Sequence, residues 1–118
     1  MYAKLKDPVG KCKVMESVSA GAVTAGTMLV KGGLLCYVLK GAAAAGETMK
    51  LVWETQSGGL ELPKQSGLVI TEGDEVFWDT GASEIDKTNT NVNAGYCVRP
   101  AAAGDSTVRI SLMNTNIS

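Results

Sequence analysis

The sequence contains no histidine. That removes both the commonest metal ligand and the one general base that works near neutral pH without tuning, so most hydrolase and metalloenzyme mechanisms lose a central part. A basic excess is also missing: 11 Lys and Arg against 12 Asp and Glu leave a net charge of −1. Nothing is then available to neutralise a polyphosphate backbone, and nucleic acid drops out as an expected partner. The three cysteines, Cys12, Cys36 and Cys97, are widely spaced and contain no C-x-x-C pair for zinc or redox work. They read as buried reduced thiols packing as small apolar residues. The longest apolar run, Leu34 to Leu39, falls far short of the roughly 18 to 20 residues that span a bilayer. Met1 to Lys13 lacks the apolar stretch of a signal peptide. A soluble protein made in the cytoplasm, with no membrane partner, is the expectation.

What the chain does have points to strands. Its 118 residues suffice for one domain that buries about two-thirds of its unfolded surface. Val, Ile and Thr number 26, and 14 Gly punctuate the chain so often that few windows of helical length escape one. Val108 to Leu112 alternates apolar with polar at period two; so do Met49, Leu51 and Trp53 against Lys50, Val52 and Glu54. Val76 and Trp78 are the inward candidates of Glu75 to Asp79, Leu34 to Leu39 reads as a strand covered on both faces, and Leu60 to Leu62 is closed by Pro63. Val76, Trp78, Leu51, Trp53, Val108, Ile110 and Leu112 are expected to share one core. The alanine runs Ala42 to Ala45 and Ala101 to Ala103, stopped by Gly46 and Gly104, are too short to offset helix nucleation. They belong in loops or single turns.

The alanine runs also carry an internal echo. Ala43 to Thr48 reads against Ala101 to Ser106, and Thr24, Ala25, Gly26, Thr27 reads against Thr71, Glu72, Gly73, Asp74, each ahead of a strand. The pattern predicts an all-β fold, a compact jelly-roll-like sandwich or barrel built of two similar β-motifs. Residues 1–16 stand apart, with Lys4, Lys6, Lys11 and Lys13 against Asp7 and Glu16 and with Pro8 and Gly10 breaking regularity. They read as an extended N-terminal arm preceding a single β-domain, 17–118. Lys4, Lys6, Pro8, Lys11 and Lys13 are the candidate residues for contact with a neighbour or a larger surface. Thr88 to Asn93 reads as an exposed polar loop.

Three motifs imitate chemistry. Asp79, Thr80, Gly81, Ala82, Ser83 matches the D-T-G loop of aspartic proteases, in which two Asp share a proton. Directly after a strand, and with only a short stretch left for a flap and a second supporting element, it is better explained as a hairpin turn. Gly81 to Thr88 ends like a phosphate loop, but Asp86 replaces the glycine before Lys87 and would repel phosphate. Glu72, Asp74 and Glu75 crowd around Gly73 as an exposed turn does, without the ligand spread of a calcium loop. No catalytic, metal-binding or cofactor-binding residue is assigned, and the chain is not read as an enzyme.

Gly21 to Gly26, Leu60 to Lys64, Gly73 to Asp79, and Ala101 to Asp105 followed by Thr107 to Leu112 occur in an order that resembles the tailed-bacteriophage capsid cement (decoration) proteins, formerly a small family of unknown function. The similarity covers roughly residues 14 to 112; Cys36, Tyr37, Tyr96 and Cys97 stand where that family often has Gly-Val. The resemblance implies a structural virion protein on the outer capsid surface, cementing joints between capsomers. Its implied partners are a major capsid protein of the tailed-phage type and further copies of itself, as a dimer or trimer. Two other readings stand beside it: an accessory surface-binding or adhesin-like β-domain, and a retroviral-type aspartic protease.

Overall fold

The computed structural model describes residues 3–6, 12–31, 34–55 and 59–112. Ten strands form in chain order: β1 (Lys4–Leu5), β2 (Lys13–Val18), β3 (Met28–Lys31), β4 (Leu34–Lys40), β5 (Thr48–Glu54), β6 (Leu60–Pro63), β7 (Glu75–Asp79), β8 (Glu84–Asp86), β9 (Val92–Arg99) and β10 (Thr107–Leu112). No helix occurs among the described residues. The strands make two antiparallel sheets, ordered β2-β5-β4-β3 and β1-β6-β10-β9-β7-β8, so the all-β expectation holds and, of the sandwich and barrel alternatives, two sheets are what form. The radius of gyration, 13.5 Å, is what a compact chain of this length has.

The echo in the sequence is an echo in the backbone. Strip β1 and β8 from the larger sheet and its order, β6-β10-β9-β7, repeats β2-β5-β4-β3 strand for strand. Val23 bridges Ala42 in one half as Ile70 bridges Ala101 in the other. Gly26 N–H donates to the Val38 carbonyl (2.8 Å) and Val38 N–H to the Thr27 carbonyl (2.9 Å). The same two bonds recur as Gly73 to Cys97 (2.8 Å) and Cys97 to Asp74 (2.9 Å). Both turns need glycine, at φ 86° for Gly26 and 90° for Gly73, because a side chain at positive φ crowds its own carbonyl. Even the irregularity repeats. One extra residue, Leu39, separates the pairs Val38↔Leu51 and Lys40↔Lys50, and Val98 likewise separates Cys97↔Ile110 and Arg99↔Arg109. A bulge shared by both halves is a built feature of the motif.

Each alanine run falls in a turn, but the alignment shifts by one residue from the one read in the sequence: Ala42, not Ala43, is the counterpart of Ala101, and Glu47 that of Ser106. Ala43 N–H donates to Glu47 Oε1 (3.2 Å) and Ala102 N–H to Asp105 Oδ2 (2.9 Å), so an acidic side chain ties each turn before the next strand begins.

Two apolar clusters replace the single core expected from alternation. Val76, Trp78, Val108, Ile110 and Leu112 join Leu60, Leu62, Ile70, Ile85 and Leu35 in the larger one. Leu51, Met49, Cys36, Val38 and Ala42 form the other, against which half-buried Trp53 and Met15 pack. Alternation identifies inward faces but cannot say that the two faces of the smaller sheet serve different clusters: Leu35 and the half-buried Met28, Val30 and Tyr37 pack into the larger one, whereas Cys36 and Val38 belong to the other. Thr55 clasps the halves together: its N–H donates to the Leu112 carbonyl (2.9 Å), and its buried hydroxyl accepts from Leu112 N–H (2.8 Å).

The stretch read as an arm is partly woven into both sheets. Lys4–Leu5 pairs with β6, Ala3 is buried in the larger cluster, and β2 straddles the boundary drawn at residue 16. The exposed loop expected over Thr88 to Asn93 ends earlier. β9 already contains Val92 and Asn93, and Asn93 is buried, donating to Glu75 Oε2 (2.8 Å).

Candidate functional site

The chemical motifs of the sequence resolve into turns. Asp79 Oδ1 accepts from Gly81 N–H (2.9 Å) and Ala82 N–H (3.2 Å), and Ser83 N–H returns to the Asp79 carbonyl (2.7 Å). The D-T-G segment is thus the hairpin between β7 and β8, with its carboxylate holding backbone. In the phosphate-loop imitation, Asp86 is buried and accepts from Thr88 N–H (3.1 Å) and Asn91 Nδ2 (2.8 Å). The acidic turn is likewise self-contained. Asp74 accepts from Thr71 N–H (2.9 Å), Thr71 Oγ1 (2.8 Å) and Lys87 Nζ (3.1 Å), and these bonds hold its carboxyl below the ordinary aspartate value. Among the described residues no cluster of three potential metal ligands occurs.

The thiols follow the same logic. Cys36 and Cys97 are buried and Cys12 is half-buried. Burial pushes the Cys36 thiol up to about 11. It also raises Cys97, whose Sγ donates to the Arg99 carbonyl (3.0 Å). A thiol held in its neutral form is a poor nucleophile.

The candidate contact residues are dispersed rather than gathered. Lys4 lies in β1 opposite Glu61, and Lys6 Nζ approaches Glu61 Oε2 at 4.0 Å on the rim of the larger sheet. Lys13 lies on the edge of the smaller sheet, bonded to Glu54 (3.2 Å) with its ammonium 5.2 Å from the centre of the Trp53 ring. Pro8 and Lys11 lie outside the described residues. Exposed pairs of this kind contribute at most about 1 kcal/mol each, so the lysines are not fixed by them.

Surface features that charge counting missed lie on strands. Val14 and Val18 are exposed at 38% and 61%, on the same face of β2 with Glu16 between them. β2 also ends the smaller sheet, so no strand pairs with its outer edge among the described residues. On the larger sheet, Glu61, Arg109 and Arg99 stand in register across three strands and line a groove of about 300 Å³ with Asp105. Period-two alternation marks these residues as outward, but not as neighbours.

A β-framework whose Asp74, Asp79 and Asp86 carboxylates tie turns, and whose outward surface carries an open strand edge and the mixed-charge row of Glu61, Arg109 and Arg99, fits a binding or structural protein. The family of phage cement proteins matches over residues 10–112, and the chain belongs to that family. Its role is accordingly structural, in the phage capsid. No curated protein and no solved structure matches the chain.

Proposed function

We propose that the protein binds the outer surface of an icosahedral phage shell, contacts the major capsid protein, and cements the joints between capsomers without catalysing a reaction. The observation that carries this reading is the family match over most of the chain, residues 10–112. The architecture supports it in physical terms. A shell filled with DNA is pushed outward and is weakest where capsomers meet. A small rigid clamp across each joint adds interface at many sites of one closed surface, so modest individual contacts act together. The two-motif fold supplies two similar faces on one chain.

Lys4, Lys6, Pro8, Lys11 and Lys13 are proposed as part of the contact, with the lysines giving salt-sensitive attraction to acidic capsid residues. Deleting residues 1–13 would also strip β1 from β6, so charge substitution is the cleaner probe. Purified expanded and unexpanded shells, incubated with the protein and pelleted, test the proposal. Expanded shells should retain the protein at saturation and resist heating better when decorated; Lys6→Glu with Lys13→Glu should weaken retention most at low salt. Failure of the wild-type protein to pellet with either shell refutes the reading.

A further inference from the structure

The repeat relating the two halves leaves one edge unmatched. In the larger sheet β6 is flanked by β1: Lys4 sits opposite Glu61, Leu5 opposite Leu60, and Lys6 N–H donates to the Gly59 carbonyl (2.9 Å). The strand equivalent to β6 is β2. Glu61 pairs Arg109 as Glu16 pairs Lys50, and Lys64 N–H bonds the Ser106 carbonyl as Ser19 N–H bonds the Glu47 carbonyl. Across the equivalent rows, Lys4–Glu61–Arg109–Arg99 has as its counterpart an empty place followed by Glu16–Lys50–Lys40. Among the described residues no strand fills that place.

Backbone geometry shows that the edge is ready to pair. Ser19 donates to Glu47 and accepts from Gly46 (2.8 Å), so both of its main-chain groups face β5. Alternation along a strand then turns Met15 and Ser17 toward β5, and Val14, Glu16 and Val18 outward. These outward positions carry the exposed valines. An unpaired edge with apolar side chains is a template for strand addition.

We propose that the outer edge of β2 accepts, antiparallel, an extended segment of the capsid protein carrying a Lys or Arg opposite Glu16 and an apolar residue opposite Met15. The inference rests on the capsid-binding reading above and names the contact within it. The chemistry of the occupant is copied from β1, in which Lys4 faces Glu61 and Leu5 faces Leu60. Glu16 makes no ion pair among the described residues. Lys50 stands in register on its inner side, as Arg109 does beside Glu61, which leaves the outer side of the carboxylate for a cation placed as Lys4 is in register with Glu61. A second copy is disfavoured on two counts. Antiparallel pairing of β2 with its own twin that sets Val14 against Val18 also sets Glu16 against Glu16, a like-charge cross-strand pair. Borrowing β1 from a neighbour would open the β6 edge it left.

Backbone amide exchange on the wild-type protein, free and shell-bound, gives the test. Free protein should exchange quickly at Val14, Glu16 and Val18 and slowly at Met15 and Ser17; on expanded shells the three outward amides should slow by about tenfold or more as they gain hydrogen bonds. Glu16→Pro removes one outward donor, a change an edge strand tolerates, and should weaken shell affinity about tenfold or more. Glu16→Lys should weaken it through the cation it would face. If the wild type pellets with shells while its outward amides stay unprotected, the inference is overturned and the capsid-binding reading stands. If the wild type does not pellet, both fall. Protection of those amides in concentrated free protein without shells would assign the edge to a second copy and overturn the capsid segment. Should Glu16→Pro lower the melting temperature, the exchange result on the wild type decides.

Discussion

Replacing Thr55 by Val should loosen the joint between the two halves at a cost that can be worked from two hydrogen bonds. The Thr55 hydroxyl is the acceptor for Leu112 N–H at 2.8 Å, Thr55 is 3% exposed, and Leu112 is fully buried. Valine keeps the branched shape and the backbone bond from Thr55 N–H to the Leu112 carbonyl, but leaves the Leu112 amide inside with no acceptor. An unsatisfied buried donor costs about 1 to 3 kcal/mol. With an unfolding entropy of about 2.1 cal/mol/K per residue over this length, the melting temperature should fall by about 4 to 12 °C. Denaturant unfolding should show the same loss with an unchanged slope, because the surface exposed on unfolding is not altered. Thr55→Ser restores the hydroxyl and should recover most of the loss. A Thr55→Val protein within about 0.5 kcal/mol of wild type, or a Thr55→Ser protein as unstable as the valine variant, would refute the clasp.

Leu51→Ala and Ile110→Ala truncate equivalent, fully buried positions in the two clusters. Each should cost about 2 to 5 kcal/mol, and in the double variant the losses should add within about 0.5 kcal/mol, as measured by urea unfolding. Cys36 should resist alkylation in the native protein at pH 8. With its thiol at about 11 rather than 9.0, the thiolate fraction falls about a hundredfold, and rapid stoichiometric labelling would contradict the burial. Asp74, its carboxyl lowered by Thr71 and Lys87, stabilises the fold above the unfolded aspartate value. That contribution should disappear as pH falls from about 4 through the lower folded value. Asp74→Asn should therefore flatten the acid limb of a stability-against-pH curve.

Much of the fold was legible from alternation, although Val52 and Phe77, which alternation places outward, are buried as well. The alternations at Met49–Trp53, Glu75–Asp79 and Val108–Leu112 all fall in strands, and the D-T-G segment is the turn its position implied. β2 was harder to read. As an edge strand it places Met15 toward a cluster and Val14 and Val18 toward solvent, so its apolar residues fall on both faces and period two is lost. Asn93 misled for another reason: its buried amide is satisfied by Glu75, a partner far away in sequence. The internal repeat was visible in the alanine turns and the two glycine turns. Its alignment became definite only with the paired bridges Val23–Ala42 and Ile70–Ala101 and the shared bulge. Of the candidate site, the lysines were visible as charge. Whether a strand lies at an edge or inside a sheet depends on pairing between distant segments, and so the open side of β2 had no signature in the chain.

The most direct test of the capsid role is electron cryomicroscopy of expanded phage shells saturated with this protein, compared with bare shells. The account predicts added density on the outer surface at the joints between capsomers, with room for the 40 × 29 × 28 Å body of the chain. Density on the inner surface, or shells indistinguishable from bare ones at saturating protein, would contradict it.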